Sequence, residues 1–206
     1  MPKFFSGNFV CPNFFQQFIQ RGENNQLTTL RKLSLPLCAY LDMNTENASK
    51  ENYEVRSLAS LMPSMKNLEH FEVKKCGQLS NEDGVKVLET LHLLTNLKTL
   101  VLCDVTLNVS PYSSGMEKLF NSCSNLSELH LSSINCQPQK LFLYLEKGLK
   151  SASNLKILKL YQKNVTHYSE RIFNVIKKTC QKLEQFLIGM SQSDNWSLKT
   201  IRKLLN

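Results

Sequence analysis

The chain of 206 residues is 42% hydrophobic and 20% charged, which is the balance of a globular protein able to bury a sizeable core. No stretch approaches the roughly 18 uninterrupted apolar residues of a membrane helix, so no membrane partner is expected. The net charge of +8 is uneven: residues 151–206 hold 10 Lys and Arg against 3 Asp and Glu, so electrostatic recognition would begin there.

The opening "MPKFFSGNFVCPNFF" has one lysine and no continuous apolar run, which argues against a secretory signal. Residues 1–25 carry Phe4, Phe5, Phe9, Phe14, Phe15 and Phe18 and read as a helical cap, closed at Gly22, over the first unit of a repeating region.

From residue 26 onward one pattern, Leu-x-x-Leu-x-Leu, recurs. Its first positions are Leu30, Leu68, Leu97, Leu126, Leu155 and Leu183, spaced by 38, 29, 29, 29 and 28 residues. The second and third positions are Leu33 and Leu35, Phe71 and Val73, Leu100 and Leu102, Leu129 and Leu131, Leu158 and Leu160, Phe186 and Ile188. Three residues before each first position stand Leu27, Met65, Leu94, Cys123, Ala152 and Cys180, all apolar or small. Eight residues after it come Cys38, Cys76, Val105, Ile134, Lys163 and Ser191. A fixed period of this length signals a solenoid whose units bury their faces against one another. Four cysteines thus fall on repeat positions, where the thiol acts as a small buried hydrophobe.

The first unit is longer than the rest by the polar stretch "AYLDMNTENASKENY" (39–53), read as a loop on one rim and a secondary candidate for binding. Helical spacing appears in four places. These are Leu58, Leu61, Met62 and Met65; Val85, Leu88, Leu91 and Leu94, opened by a capping box at Ser80 and Asp83; Phe142, Leu145, Leu149 and Ala152; and Ile172, Phe173, Ile176 and Cys180. "SDNWSLKTIRKLLN" reads as a last helix with Asp194 as cap and Trp196, Ile201, Leu204 and Leu205 turned inward. It leaves "EQFLIGM" as an unpaired edge strand, with Leu187 as the residue through which weak self-association is expected. Right-handed crossovers then place about six parallel strands inside and helices outside.

The seven cysteines show no Cys-x-x-Cys pair and no framework spacing, which favours free thiols and a cytoplasmic or nuclear setting. Five Asn-x-Ser/Thr sequons, at Asn47, Asn108, Asn125, Asn164 and Asn195, are read as accidental in such a compartment.

Side chains alternate along a strand, so a second set faces away from the core. Its first column is Lys32, His70, Thr99, Glu128, Ile157 and Gln185; its second is Ser34, Glu72, Val101, His130, Lys159 and Leu187. Its third is Pro36, Lys74, Cys103, Ser132, Tyr161 and Gly189. The expected partner-binding residues are Lys32, His70, Glu72, Lys74, Cys103, Glu128, His130, Lys159 and Tyr161. Cys103 and His130 suggest a thiol–imidazole pair, but no orienting acid or oxyanion donor accompanies them. His70, Glu72, Glu128 and His130 suggest a metal site, but alternate strands stand about 10 Å apart, too far for one zinc. No phosphate loop or His-Glu-x-x-His occurs, so neither catalysis nor a cofactor is expected.

The recurrence resembles the leucine-rich-repeat family over roughly residues 26–206, as a domain of about six repeats. The unit of 28–29 residues with a full helix is similar to the ribonuclease-inhibitor subtype. "CGQLSNEDGVKVLETL" (76–91) resembles the cysteine-containing repeats of F-box adaptor proteins, the cysteine standing here at Cys38 and Cys76. The resemblance implies a curved horseshoe, strands concave and helices convex, that binds a protein partner, with substrate recognition for ubiquitination as one setting. The inhibitor's function does not carry over, because Lys32, Lys74 and Lys159 share the face with Glu72 and Glu128. The alternative is nucleic-acid or acidic-surface binding through Lys163, Arg171, Lys177, Lys178, Lys182, Lys199, Arg202 and Lys203 on the last two helices.

Overall fold

The computed structural model describes residues 4–6, 26–36, 61–74, 89–103, 115–132, 138–161 and 170–189. Every strand among them belongs to one parallel sheet laid down in chain order. The strands are β1 (Phe4–Ser6), β2 (Lys32–Pro36), β3 (His70–Lys74), β4 (Thr99–Cys103), β5 (Glu128–Ser132), β6 (Ile157–Tyr161) and β7 (Gln185–Gly189). Short 3-10 turns precede β2, β3 and β4, at Gln26–Thr29, Met62–Ser64 and Leu91–Leu93. Three α-helices precede the next strands: α1 (Gly115–Ser122), α2 (Pro138–Leu149) and α3 (Glu170–Thr179).

The recurring leucines explain this layout. Leu33, Phe71, Leu100, Leu129, Leu158 and Phe186, the second positions of the motif, are each 0% exposed and cross the sheet as one sealed row. The first positions from Leu30 to Leu155 are buried beside them, with Leu183 half-buried against the same cluster. All six residues three places earlier, Leu27 to Cys180, are buried as well. Each fully buried Leu, Met or Phe among them contributes about 1.5–3 kcal/mol by leaving water. One apolar cluster therefore runs between the sheet and the turns and helices on one side of it.

Two hydrogen-bond patterns recur, one closing the turn within each unit and one tying the unit to the one before. The N–H of each first-position leucine donates to the carbonyl three residues earlier, at 2.9–3.2 Å, from Leu30 to Leu183. The next two N–H groups then share one carbonyl of the previous unit, as Glu69 and His70 do with that of Arg31 at 2.8 and 3.0 Å. An asparagine ladder adds to this. Asn67 Nδ2 donates to the Thr28 carbonyl at 2.7 Å, Asn96 to that of Lys66 at 2.9 Å, and Asn154 to that of Ser124 at 2.8 Å. The asparagine of "KNL", "TNL" and "SNL" thus satisfies a loop carbonyl one unit away.

Four findings differ from the sequence reading or add to it. Residues 4–6, expected within a helical cap, instead form β1 and pair with Lys32 to Ser34, making a seventh strand. Pairing satisfies the backbone groups along the β2 edge, which a helix could not do. Helix α1 was not anticipated, although Met116, Leu119, Phe120 and Cys123 bury at helical spacing. In α2 the expected Leu145 and Leu149 are buried, as is Ala152 after it, and Leu141 and Tyr144 join them; the side chain of Phe142 lies outside the described ones. Finally, α1 and α2 meet at Gly148, where a Cβ would stand 2.8 Å from Phe120 Cδ2 and 3.1 Å from the Met116 carbonyl.

In the other two expected stripes, Leu61, Met62, Met65, Leu91 and Leu94 are buried near the 3-10 turns. The earlier parts of those helices, the 39–53 loop, the column from Cys38 to Ser191 and the C-terminal helix lie outside the described residues.

Candidate functional site

The face of the sheet turned away from the cluster carries the three columns expected from side-chain alternation. Strand pairing aligns Lys32, His70, Thr99, Glu128, Ile157 and Gln185 as one row. Ser34, Glu72, Val101, His130, Lys159 and Leu187 form the second, and Pro36, Lys74, Cys103, Ser132, Tyr161 and Gly189 the third. All nine expected partner-binding residues stand in these rows.

Toward β2 and β3 the face is polar and internally paired. Glu72 accepts from Ser34 Oγ at 2.6 Å and pairs with Lys74 Nζ at 2.6 Å. Burial works to raise its pKa, but the Lys74 and Ser34 bonds outweigh it and hold the carboxyl below its ordinary value. The same bond raises the Lys74 ammonium above its ordinary value. Across β6 and β7 the face turns more apolar, with Ile157, Leu187 and Tyr161 half-buried around Lys159.

At the centre, two histidine–glutamate pairs flank β4. His70 Nε2 stands 3.7 Å from Glu72 on β3, and His130 Nε2 stands 4.0 Å from Glu128 on β5. Val101, between them on the same open face, is only 6% exposed. Burial is the main force lowering both histidine pKa values, helped by Lys32 at His70 and by Lys159 at His130. The neutral form of both imidazoles is favoured by these surroundings. Among the described residues, His70 Nε2, His130 Nε2 and the Tyr161 hydroxyl are enclosed without a hydrogen-bond partner.

This geometry bears on the two chemical constellations. His130 reaches along its strand toward Glu128, whereas Cys103 lies level with Ser132 in the opposite direction. Among the described residues, no three His, Cys, Asp or Glu gather as a group able to hold a metal ion. Cys123 and Cys180 are core residues whose thiols burial pushes up to about 12 and about 11; Cys123 also donates to the Leu94 carbonyl at 3.2 Å. Cys103, half-buried on the open face, is in no disulfide among the described residues.

A second surface runs along the loops that enter the strands. The residue after each first-position leucine is Arg31, Glu69, Lys98, Ser127, Lys156 or Glu184. Arg31 and Lys98 hold Glu69 between them at 3.4 and 2.7 Å, and Lys156 holds Glu184 at 2.9 Å. The Lys98 bond, aided by Arg31, keeps the Glu69 pKa below its ordinary value.

Of the expected basic patch, Lys177 and Lys178 are exposed at the end of α3, and Lys182 donates to Asn154 Oδ1 at 2.6 Å. Arg171 falls within α3, while Lys163, Lys199, Arg202 and Lys203 lie outside the described residues. The sequence reading overlooked Lys147 and Lys150, exposed at the end of α2 beside α3. Their position in the recurring unit, eight and five residues before Leu155, was the signal that could have found them. No protein-family model matches the chain, and no curated protein matches it.

Proposed function

We propose that this chain is a leucine-rich-repeat solenoid that serves as a non-catalytic scaffold for protein–protein interaction, its open sheet face receiving the partner. The observation that carries this reading is the three-column face itself. It is held rigid by parallel pairing and by a sealed row behind it, and it mixes imidazole, phenol, aliphatic, cationic and anionic groups. A protein surface offers complementary groups for all of these at once, whereas a single small substrate would use only a few. The enclosed Tyr161 hydroxyl and histidine nitrogens, without a hydrogen-bond partner among the described residues, fit the same reading. Such groups carry a cost of about 1–3 kcal/mol that a partner's hydrogen bonds would remove. Substrate recognition in an F-box-like ubiquitin ligase, in the cytoplasm or nucleus, is the setting that the repeat resemblance suggests.

The test is a comparative cross-linking capture from the source cell, using the wild-type chain and the His130→Ala/Tyr161→Ala double variant. Proteins retained by the wild type and lost by the variant are the expected result, and ubiquitin-ligase components among them would support the proposed setting. An aromatic anchor in an interface is worth about 2 kcal/mol or more. An unchanged set of captured proteins, with the variant folded, would move the site off this face.

A further inference from the structure

Along the strand-entry loops, charge is balanced in one part of the molecule and unbalanced in another. Before β2, β3 and β4 the residues after the first-position leucines alternate in sign, Arg31 and Lys98 sharing Glu69 between them. Before β6 and β7 the positions five residues ahead of Leu155 and Leu183 are Lys150 and Lys178, both exposed. The equivalent residues of the earlier units are Pro63, His92 and Asn121, so this column becomes fully cationic only at its end. Helices α2 and α3 are in contact, and packed helices stand about 8–10 Å apart, so these two equivalent positions fall on one rim. Lys147 and Lys177 stand close by on the same helix ends, and Lys182 is tethered to the adjoining loop through Asn154.

Acids do little to offset them. In these two helix-end and loop segments, Glu184 is already held by Lys156, and Glu146 is half-buried. Lys147, Lys150 and Lys178 make no ion pair among the described residues. Lysines near a helix C-terminus complement the helix dipole, which accounts for one cation per helix more readily than for a cluster spanning two.

We infer that this rim, built by the C-terminal ends of α2 and α3, is a docking site for an acidic polypeptide segment, a run of Asp and Glu on a partner. It is separate from the open face and does not depend on what seats there. The cations are all lysines, without the arginine forks that favour phosphate. Among the described residues the exposed large apolar side chain is Leu143, so no aromatic platform for stacked bases accompanies the charge. The patch spans two neighbouring helix ends, a footprint suited to a short peptide.

Fluorescence anisotropy with an oligo-glutamate peptide and a DNA oligonucleotide of matched charge tests this on the full chain at about 50 mM salt. The peptide should bind the wild type and release as salt rises. Lys150→Glu/Lys178→Glu should weaken it about tenfold or more, and Lys150→Gln/Lys178→Gln by less. A control reversing two cations of the first units, Arg31→Glu/Lys66→Glu, should bind as the wild type does. Absence of peptide binding, or equal binding by the Lys150/Lys178 variants, would overturn the inference. Tighter binding of the oligonucleotide than of the peptide would overturn the assignment to a polypeptide in favour of nucleic acid.

Discussion

The two faces of the sheet are made by alternate residues of the same five-residue strands, yet they obey different rules. On the covered face every second-position side chain from Leu33 to Phe186 is fully sealed, and the chemistry there is almost uniform. On the open face, neighbours in one row run from Lys32 through His70, Thr99 and Glu128 to Ile157. Uniformity on one side sets the register of the strands, and that register arranges the other side. The open face can therefore vary its chemistry at little cost to folding, which is what a recognition surface needs.

The strongest way to break this comparison is to cut one residue on each face of the same strand. Leu100→Ala should lower stability by about 3–4 kcal/mol, because the fully buried site cannot collapse around the cavity. Thr99→Ala, its open-face neighbour, should change urea-unfolding stability by less than about 0.5 kcal/mol. Comparable losses at both positions would mean that the faces are not distinct.

Thiol labelling sharpens the same contrast. Cys103 should react readily, whereas Cys123 and Cys180, buried and with thiol pKa values near 12 and 11, should react on the order of a hundredfold more slowly in the native state. Timed alkylation followed by mass spectrometry reads the difference directly.

Behind the covered face, Gly148→Ala forces a methyl group toward Phe120 and the Met116 backbone. A loss of about 1–3 kcal/mol is expected, despite alanine's better helix propensity. A stabilised variant would show that α1 and α2 can move apart. Removing one rung of the asparagine ladder, Asn96→Ala, should cost about 1 kcal/mol, since the Lys66 carbonyl loses its side-chain donor but lies near water.

The smallest effect belongs to the open face alone. His70 and His130 have folded pKa values below 6.5, so as pH falls through 6.5 the unfolded chain takes up protons that the folded chain refuses. Their contribution to stability is complete above that pH and declines below it, toward their folded values. Glu72, depressed below 4.5, adds a second decline at more acid pH. Urea midpoints measured against pH should begin to fall near 6.5, and His70→Gln/His130→Gln should flatten that first decline while leaving the second.

Most of the strand layout was legible because leucine spacing is a local signal that survives any change in the loops. The six five-residue strands, their alternation and all three open-face columns come from counting forward from each first leucine. Helix α1 was missed because Met116, Leu119 and Phe120 sit among Ser, Gly and Asn, which read as loop. The asparagine ladder was missed for a different reason. Asn67, Asn96 and Asn154 each look like an ordinary turn residue, and their partner carbonyls lie 39, 30 and 30 residues away.

Sequence by itself determined which side of each strand faces the core and which residues share a row, because alternation and a near-constant period leave one consistent register. Only the tertiary structure decided the rest. Phe4–Ser6 became a strand because the β2 edge could be satisfied by pairing. Val101 came to be only 6% exposed on the open face because pairing sets β3 and β5, each with its histidine and glutamate, on either side of β4. Lys150 and Lys178 came to hold equivalent places at the ends of two helices in contact, α2 and α3, across a separation of 28 residues along the chain. Each of these is a contact between segments distant in sequence, and its energy exists only once the sheet has assembled.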